Sequence, residues 1–140
     1  MKLINSLGIM EIFNDKKSLK YYQKKLTKIR KSEAKTFIDI GMVYLVDNQP
    51  DNALKYYKKA KLIYKDINDD KGIAFTYDII GDAYLTERNF QKAIMFYQES
   101  FKIYGSMRSS EKNKIFDKIK KAEMASMATD IVKNKQENSN

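Results

Sequence analysis

The chain lacks cysteine, histidine and tryptophan altogether across its 140 residues. Without cysteine there is no disulfide, no thiolate nucleophile and no cysteine-type zinc site; without histidine the commonest general base and the commonest metal ligand are also missing. One proline and five glycines are too few breakers for an all-β chain, which needs a turn about every 8–12 residues. The 27 Lys and Arg, with many Leu, Ile and Ala, favour helices instead. No run of about 18 apolar residues is free of charge, so no membrane-spanning helix is expected. The opening stretch from Met1 to Met10 resembles the start of a signal peptide, but Glu11 ends it early and no small-residue cleavage motif follows. It reads as part of a helix, and the protein as cytoplasmic. The length and the 43% apolar share fit one all-α domain.

The net charge of +9 is unevenly placed. Residues 1–31 carry +7, residues 32–71 are neutral, residues 72–107 carry −1 and residues 108–140 carry +3. A neutral middle with basic flanks is less like a dedicated nucleic-acid domain than a uniformly basic chain would be.

An internal repeat organises the middle. Phe37, Ile40, Gly41 and Tyr44 recur 40 residues later as Tyr77, Ile80, Gly81 and Tyr84, and Ala53, Tyr57 and Ala60 recur as Ala93, Tyr97 and Ser100. The first set falls at i, i+3, i+4 and i+7, one apolar stripe of a helix, and the second set makes a facing stripe. Glycine inside a helix costs about 1 kcal/mol relative to alanine, so Gly41 and Gly81 need a reason, and close approach of a neighbouring backbone is the natural one. Pro50 suits a first helical turn, and Asn89 suits an N-cap. Each unit is then a helical hairpin that must stack on its neighbour to bury its stripe.

These residues resemble the tetratricopeptide repeat pattern, W-x₂-L-G-x₂-Y followed by a small residue, an aromatic and a second small residue. The period of 40 exceeds the usual one of about 34 and is similar to that of the longer-period members. The resemblance implies a short right-handed superhelical solenoid of antiparallel hairpins, about seven helices in all. On that reading residues 1–31 form a degenerate N-terminal hairpin, 32–66 and 72–105 are repeats, 109–132 is a polar-backed capping helix, and 133–140 is a frayed tail. Ser109 and Ser110 stand where they can cap that last helix, which carries Ile115, Phe116, Ile119, Ala122, Met127 and Ile131.

In similar proteins the first helix of each repeat lines a concave groove. The matching positions here are Lys35, Ile38, Met42, Leu45 and Val46, then Phe75, Asp78, Asp82, Leu85 and Thr86. Ile38, Met42 and Phe75 would give an apolar floor beside two carboxylates, which suits a basic or amphipathic helix or an extended peptide. The bland reading is that Ile38, Met42 and Leu45 only pack against the N-terminal helices. The clamp that some family members use for acidic tails needs Lys and Asn where this chain has Ile38, Met42, Asp78 and Asp82, so an acidic tail is not the expected ligand. Reversing the charge of Asp78 and Asp82 is expected to abolish binding without unfolding the domain.

The segment from Asp15 to Lys31 has Leu19, Tyr22, Leu26 and Ile29 on one face, with Lys16, Lys17, Lys20, Lys24, Lys25, Lys28, Arg30 and Lys31 around the rest. It is either the solvated second helix of a degenerate repeat or a surface for nucleic acid or anionic lipid. The stretch from Asp66 to Gly72 departs from a calcium loop, with glycine one place late and Tyr77 where the final Glu belongs, so it reads as a turn plus N-cap. No catalytic residue, cofactor or metal site is expected. The predicted function is a non-catalytic protein-interaction adaptor, with nucleic-acid binding as the alternative and self-association through an uncapped end as a third.

Overall fold

Helix ends in this chain are set by one turn that recurs every 20 residues. Asn48, Asn68, Arg88 and Arg108 all take the left-handed conformation, with φ of 56°, 54°, 57° and 53°. Just after each, an N–H bonds back to the carbonyl of a tyrosine: Gln49 to Tyr44, Asp69 to Tyr64, Asn89 to Tyr84 and Ser109 to Tyr104, at 2.8–2.9 Å. This back-bonding satisfies carbonyls that a helix end would otherwise leave bare. The next helix starts at once. Pro50 opens one, Asp69 accepts the Gly72 N–H at 3.0 Å, and Asn89 accepts the Lys92 N–H at 3.2 Å.

The computed structural model describes residues 16–138 of the chain. Among them lie five helices: α1 (Lys16–Val46), α2 (Pro50–Asp66), α3 (Asp70–Thr86), α4 (Phe90–Ser106) and α5 (Glu111–Glu137). Each packs on its sequence neighbour, giving an all-α solenoid of antiparallel hairpins, and the three inner helices are 17 residues each. One buried cluster joins Ile38, Tyr57, Tyr64, Ile79 and Ile80 of α1, α2 and α3; a second joins Ala74, Tyr97, Tyr104, Ile115 and Ile119 of α3, α4 and α5.

Three expectations need amending: the boundary at residue 31, the tail from residue 133 and the polar back of the last helix. The first half of the degenerate hairpin lies outside the described residues. Its second half does not end at residue 31, because α1 runs unbroken through Lys31 into the first repeat. Ser32, Glu33, Ala34, Lys35 and Thr36 include no glycine, proline or left-handed residue to stop it, and Ala34 is fully buried. At the other end α5 continues to Glu137, past the frayed tail expected from 133, and it is not polar-backed. Ile115, Ile119 and Ala122 are buried, but Phe116, Met127 and Ile131 are exposed. The α5 helix has 27 residues against 17 in α4, and the Ser126 hydroxyl already meets Gln91 at the start of α4, so Thr129, Asp130 and Lys133 beyond it face only the first residues of α4 and the turn before them. Of the two serines proposed as caps, Ser109 provides the bond, its hydroxyl accepting the Glu111 N–H at 3.3 Å.

Gly41 and Gly81 are explained by aromatic rings, not by a neighbouring backbone. A Cβ on Gly41 would clash with the Tyr57 ring, and one on Gly81 would come within 2.5 Å of two Tyr97 ring carbons. Both tyrosines are fully buried. The missing side chain is what lets each ring lie flat on the preceding helix.

Candidate functional site

The ten predicted groove residues divide by exposure. Ile38 is 3% exposed and belongs to the core, so it cannot form part of a binding floor; it packs in the cluster that holds Tyr57 and Ile79. Leu45 and Leu85 are half-buried against the two core clusters. Met42 and Phe75 stay open at 38% and 37%, while Lys35, Val46 and Thr86 are exposed. Thr86 turns its hydroxyl back to the Asp82 carbonyl at 3.1 Å.

The two carboxylates are already engaged. The Lys118 ammonium of α5 donates to Asp78 at 2.6 Å and to both oxygens of Asp82 at 2.9 Å, and the Tyr97 hydroxyl donates to Asp82 at 2.7 Å. Four side chains from three helices thus form one polar cluster between α3, α4 and α5. Burial pushes the Asp78 carboxyl above its ordinary range even though Lys118 opposes the shift. Burial also disfavours the Lys118 charge, but its bonds to Asp78 and Asp82 outweigh that and raise its pKa. Tyr97 is held protonated well above the usual phenol range, first by burial and then by Asp82. Charge reversal at Asp78 and Asp82 is therefore not a surface change as the sequence reading assumed. It would leave Lys118 facing like charges and strip Tyr97 of its acceptor.

The first repeat lacks this cluster. The residue 40 before Asp82 is Met42, and the residue 40 before Tyr97 is Tyr57, whose buried hydroxyl has no hydrogen-bond partner. Burial pushes the Tyr57 phenol up to about 12. Sequence comparison of the two repeats could have shown this mismatch at once.

The basic set is also partly spent. Arg30 bonds Asp66 at 3.0 Å and pairs with Glu33 at 3.6 Å, and Lys31 bonds Asp69 at 2.6 Å; these pin α1 to the turn between α2 and α3. The bond to Asp69 raises the Lys31 pKa. Burial alone would lift the Asp69 carboxyl, but Lys31 and the Gly72 N–H outweigh it and hold it below the ordinary value. Lys17, Lys20, Lys24, Lys25 and Lys28 are exposed. The side chain of Lys16 is outside what the structure describes.

The stacking that defines the hairpins repeats with the sequence: Tyr44 on Tyr56 at 5.5 Å and 15°, and Tyr84 on Phe96 at 5.3 Å and 11°. A family model for the tetratricopeptide repeat matches residues 32–106, more than half of the chain. The chain belongs to the tetratricopeptide repeat family. Tetratricopeptide repeats generally mediate protein–protein interactions and are generally non-catalytic. No curated protein matches the chain. Among the described residues of this repeat protein, no helix is long and apolar enough to cross a membrane, and no three His, Cys, Asp or Glu side chains cluster as metal ligands would.

Proposed function

We propose that this tetratricopeptide repeat protein is a non-catalytic adaptor of the cytoplasm, holding a peptide or helix of a protein partner along the face carrying Met42 and Phe75. The observation behind this reading is that, of the apolar residues expected to line the groove, Met42, Val46 and Phe75 remain more than a third exposed, while Ile38 is buried and Leu45 and Leu85 are half-buried. Asp78, Asp82 and Lys118 together leave one net negative charge, so the matching ligand is amphipathic: an apolar anchor for Met42 and Phe75, and a single cation for Asp82. Function here lies in the chemistry of that face and not in the repeat itself.

The test uses an array of amphipathic helical peptides carrying one to three Lys or Arg, read by fluorescence anisotropy against the full chain. Peptides that bind should lose at least tenfold in affinity with Phe75→Ser plus Met42→Ser, in a variant whose circular dichroism shows that it remains folded. Unchanged affinity in that variant refutes the groove.

A second reading, nucleic acid or another anionic surface on the basic segment of α1, rests on Lys20, Lys24, Lys25 and Lys28, which are exposed and form no ion pair among the described residues. A polyanion held by those lysines would be released steeply by salt.

A further inference from the structure

The first half of α1 stands apart from the rest of the solenoid. Arg30 reaches Asp66 at the last residue of α2, so the 14 residues from Lys16 to Ile29 run on past the end of that helix, for about 21 Å at 1.5 Å per residue. Along this arm Leu19, Tyr22, Leu26 and Ile29 are 57%, 56%, 59% and 57% exposed. Their spacing of three, four and three residues is that of heptad positions a and d. At its inner end the stripe enters a recess of about 490 Å³, formed by Gln23, Leu26 and Arg30 of α1 with Ile67 and Asn68 of the following turn.

Charge defines what can lie there. Residues 16–32 contain eight Lys and Arg and no Asp or Glu. With Leu19 at a, Lys25 falls at g and Arg30 at e, the positions that face a partner helix. In a second copy of this arm packed in parallel, Lys25 of one helix would meet Arg30 of the other and no acid on either arm would offset them, since the other e and g positions, Ser18, Gln23 and Ser32, are uncharged. The aliphatic stripe is two positions wide per heptad, widened at one point by exposed Tyr21 against Tyr22, which is the seam of a helix pair; a helix lying in a membrane presents a broader apolar face. A bare polyanion would use the lysines but leave the four apolar side chains in water.

We infer that the arm from Leu19 to Ile29 is a docking seam for an acidic amphipathic helix of a partner protein, with apolar a and d positions and Glu or Asp at e and g. The apolar side chains supply the area, and Lys25 together with the positive charge of the whole arm sets partner choice, since Arg30 is already paired with Asp66. This surface is separate from the Met42 and Phe75 face, and neither proposal depends on the other.

The experiment titrates the full chain into three labelled three-heptad peptides: Leu at a and d with Glu at e and g, the same with Lys at e and g, and a scrambled form of the first. The Leu/Glu peptide should bind at least tenfold more tightly than either control. Leu19→Ser plus Leu26→Ser should weaken it tenfold or more, and Lys25→Glu several-fold, with the thermal melt unchanged because all three side chains are exposed. Five outcomes overturn the inference. Equal binding of the scrambled peptide, or preferential binding of single-stranded nucleic acid, means a generic polyanion surface. Binding only to vesicles of phosphatidylglycerol means a membrane contact. A concentration-dependent mass abolished by Leu26→Ser means a second copy is the occupant. Binding that appears only after Leu3, Leu7 and Met10 are replaced by Ser means that the chain's own N-terminal segment fills the seam.

Discussion

Tyr57 and Tyr97 occupy equivalent places in the two repeats, both fully buried and each pressed against a glycine, yet their hydroxyls have opposite circumstances. Tyr97 donates to the Asp82 carboxylate at 2.7 Å, whereas Tyr57 donates to nothing. Removing a hydrogen bond to a charged group costs roughly 1.5–3 kcal/mol, and burying an unsatisfied polar group costs roughly 1–3 kcal/mol. Tyr97→Phe should sit at the low end of the first range, about 1.5 kcal/mol of lost stability, because Asp82 keeps both bonds to Lys118. Tyr57→Phe removes an uncompensated hydroxyl and should be neutral or stabilising by about 1 kcal/mol. The gap of about 1.5–2.5 kcal/mol corresponds to a difference in Tm of several degrees, at roughly 3–5 °C per kcal/mol for a domain of this size. Urea melts followed by far-ultraviolet circular dichroism measure it directly. A third variant, Met42→Asp, places a carboxylate where Asp82 stands in the other repeat. Tyr57→Phe made in that background should turn destabilising, and a double-mutant cycle reads the coupling. If Tyr57→Phe costs as much as Tyr97→Phe in the natural background, the reasoning fails, because the Tyr57 hydroxyl must then have a partner.

The glycines offer an internal control of the same packing. Gly81→Ala drives a methyl into the buried Tyr97 ring and should destabilise by roughly 2–4 kcal/mol, whereas Gly105→Ala, with nothing within 4 Å, should stabilise by about 0.5–1 kcal/mol; thermal melts of the two variants should move in opposite directions. Alkaline pH tests the buried phenols. Burial pushes Tyr57 and Tyr104 up to about 12 and Tyr97 in the same direction, so the folded chain keeps protons that the unfolded chain releases near its ordinary value of 10.0. Stability should therefore fall as pH rises from about 10 through 12, with raised Lys31 and Lys118 acting in the same sense above 10.5 and lowered Lys61 opposing below it. In tyrosinate absorbance these three phenols should titrate only with loss of helix; ionisation of all ten tyrosines in the folded chain would contradict the burial argument.

The sequence by itself determined the helical class, the hairpin unit and the places where helices begin, because these depend on local chemistry: apolar period, Pro50 at a first turn, and Asp69 and Asn89 as caps. It also contained a finer period that was legible but unread, the tyrosines at 44, 64, 84 and 104 whose carbonyls close each turn. The tertiary structure decided what those stripes meet. Heptad-like spacing makes Ile38 and Met42 look alike, yet Ile38 is enclosed and Met42 open, since burial depends on the neighbouring helix and not on the period. Asp78 and Asp82 read as groove chemistry by position, but the fold brings Lys118, 40 and 36 residues away, against them. The continuity of α1 is visible as a missing stop signal. The exposure of its apolar seam depends on where α2 ends, beside Arg30, because a helix face is core or surface according to what lies across from it.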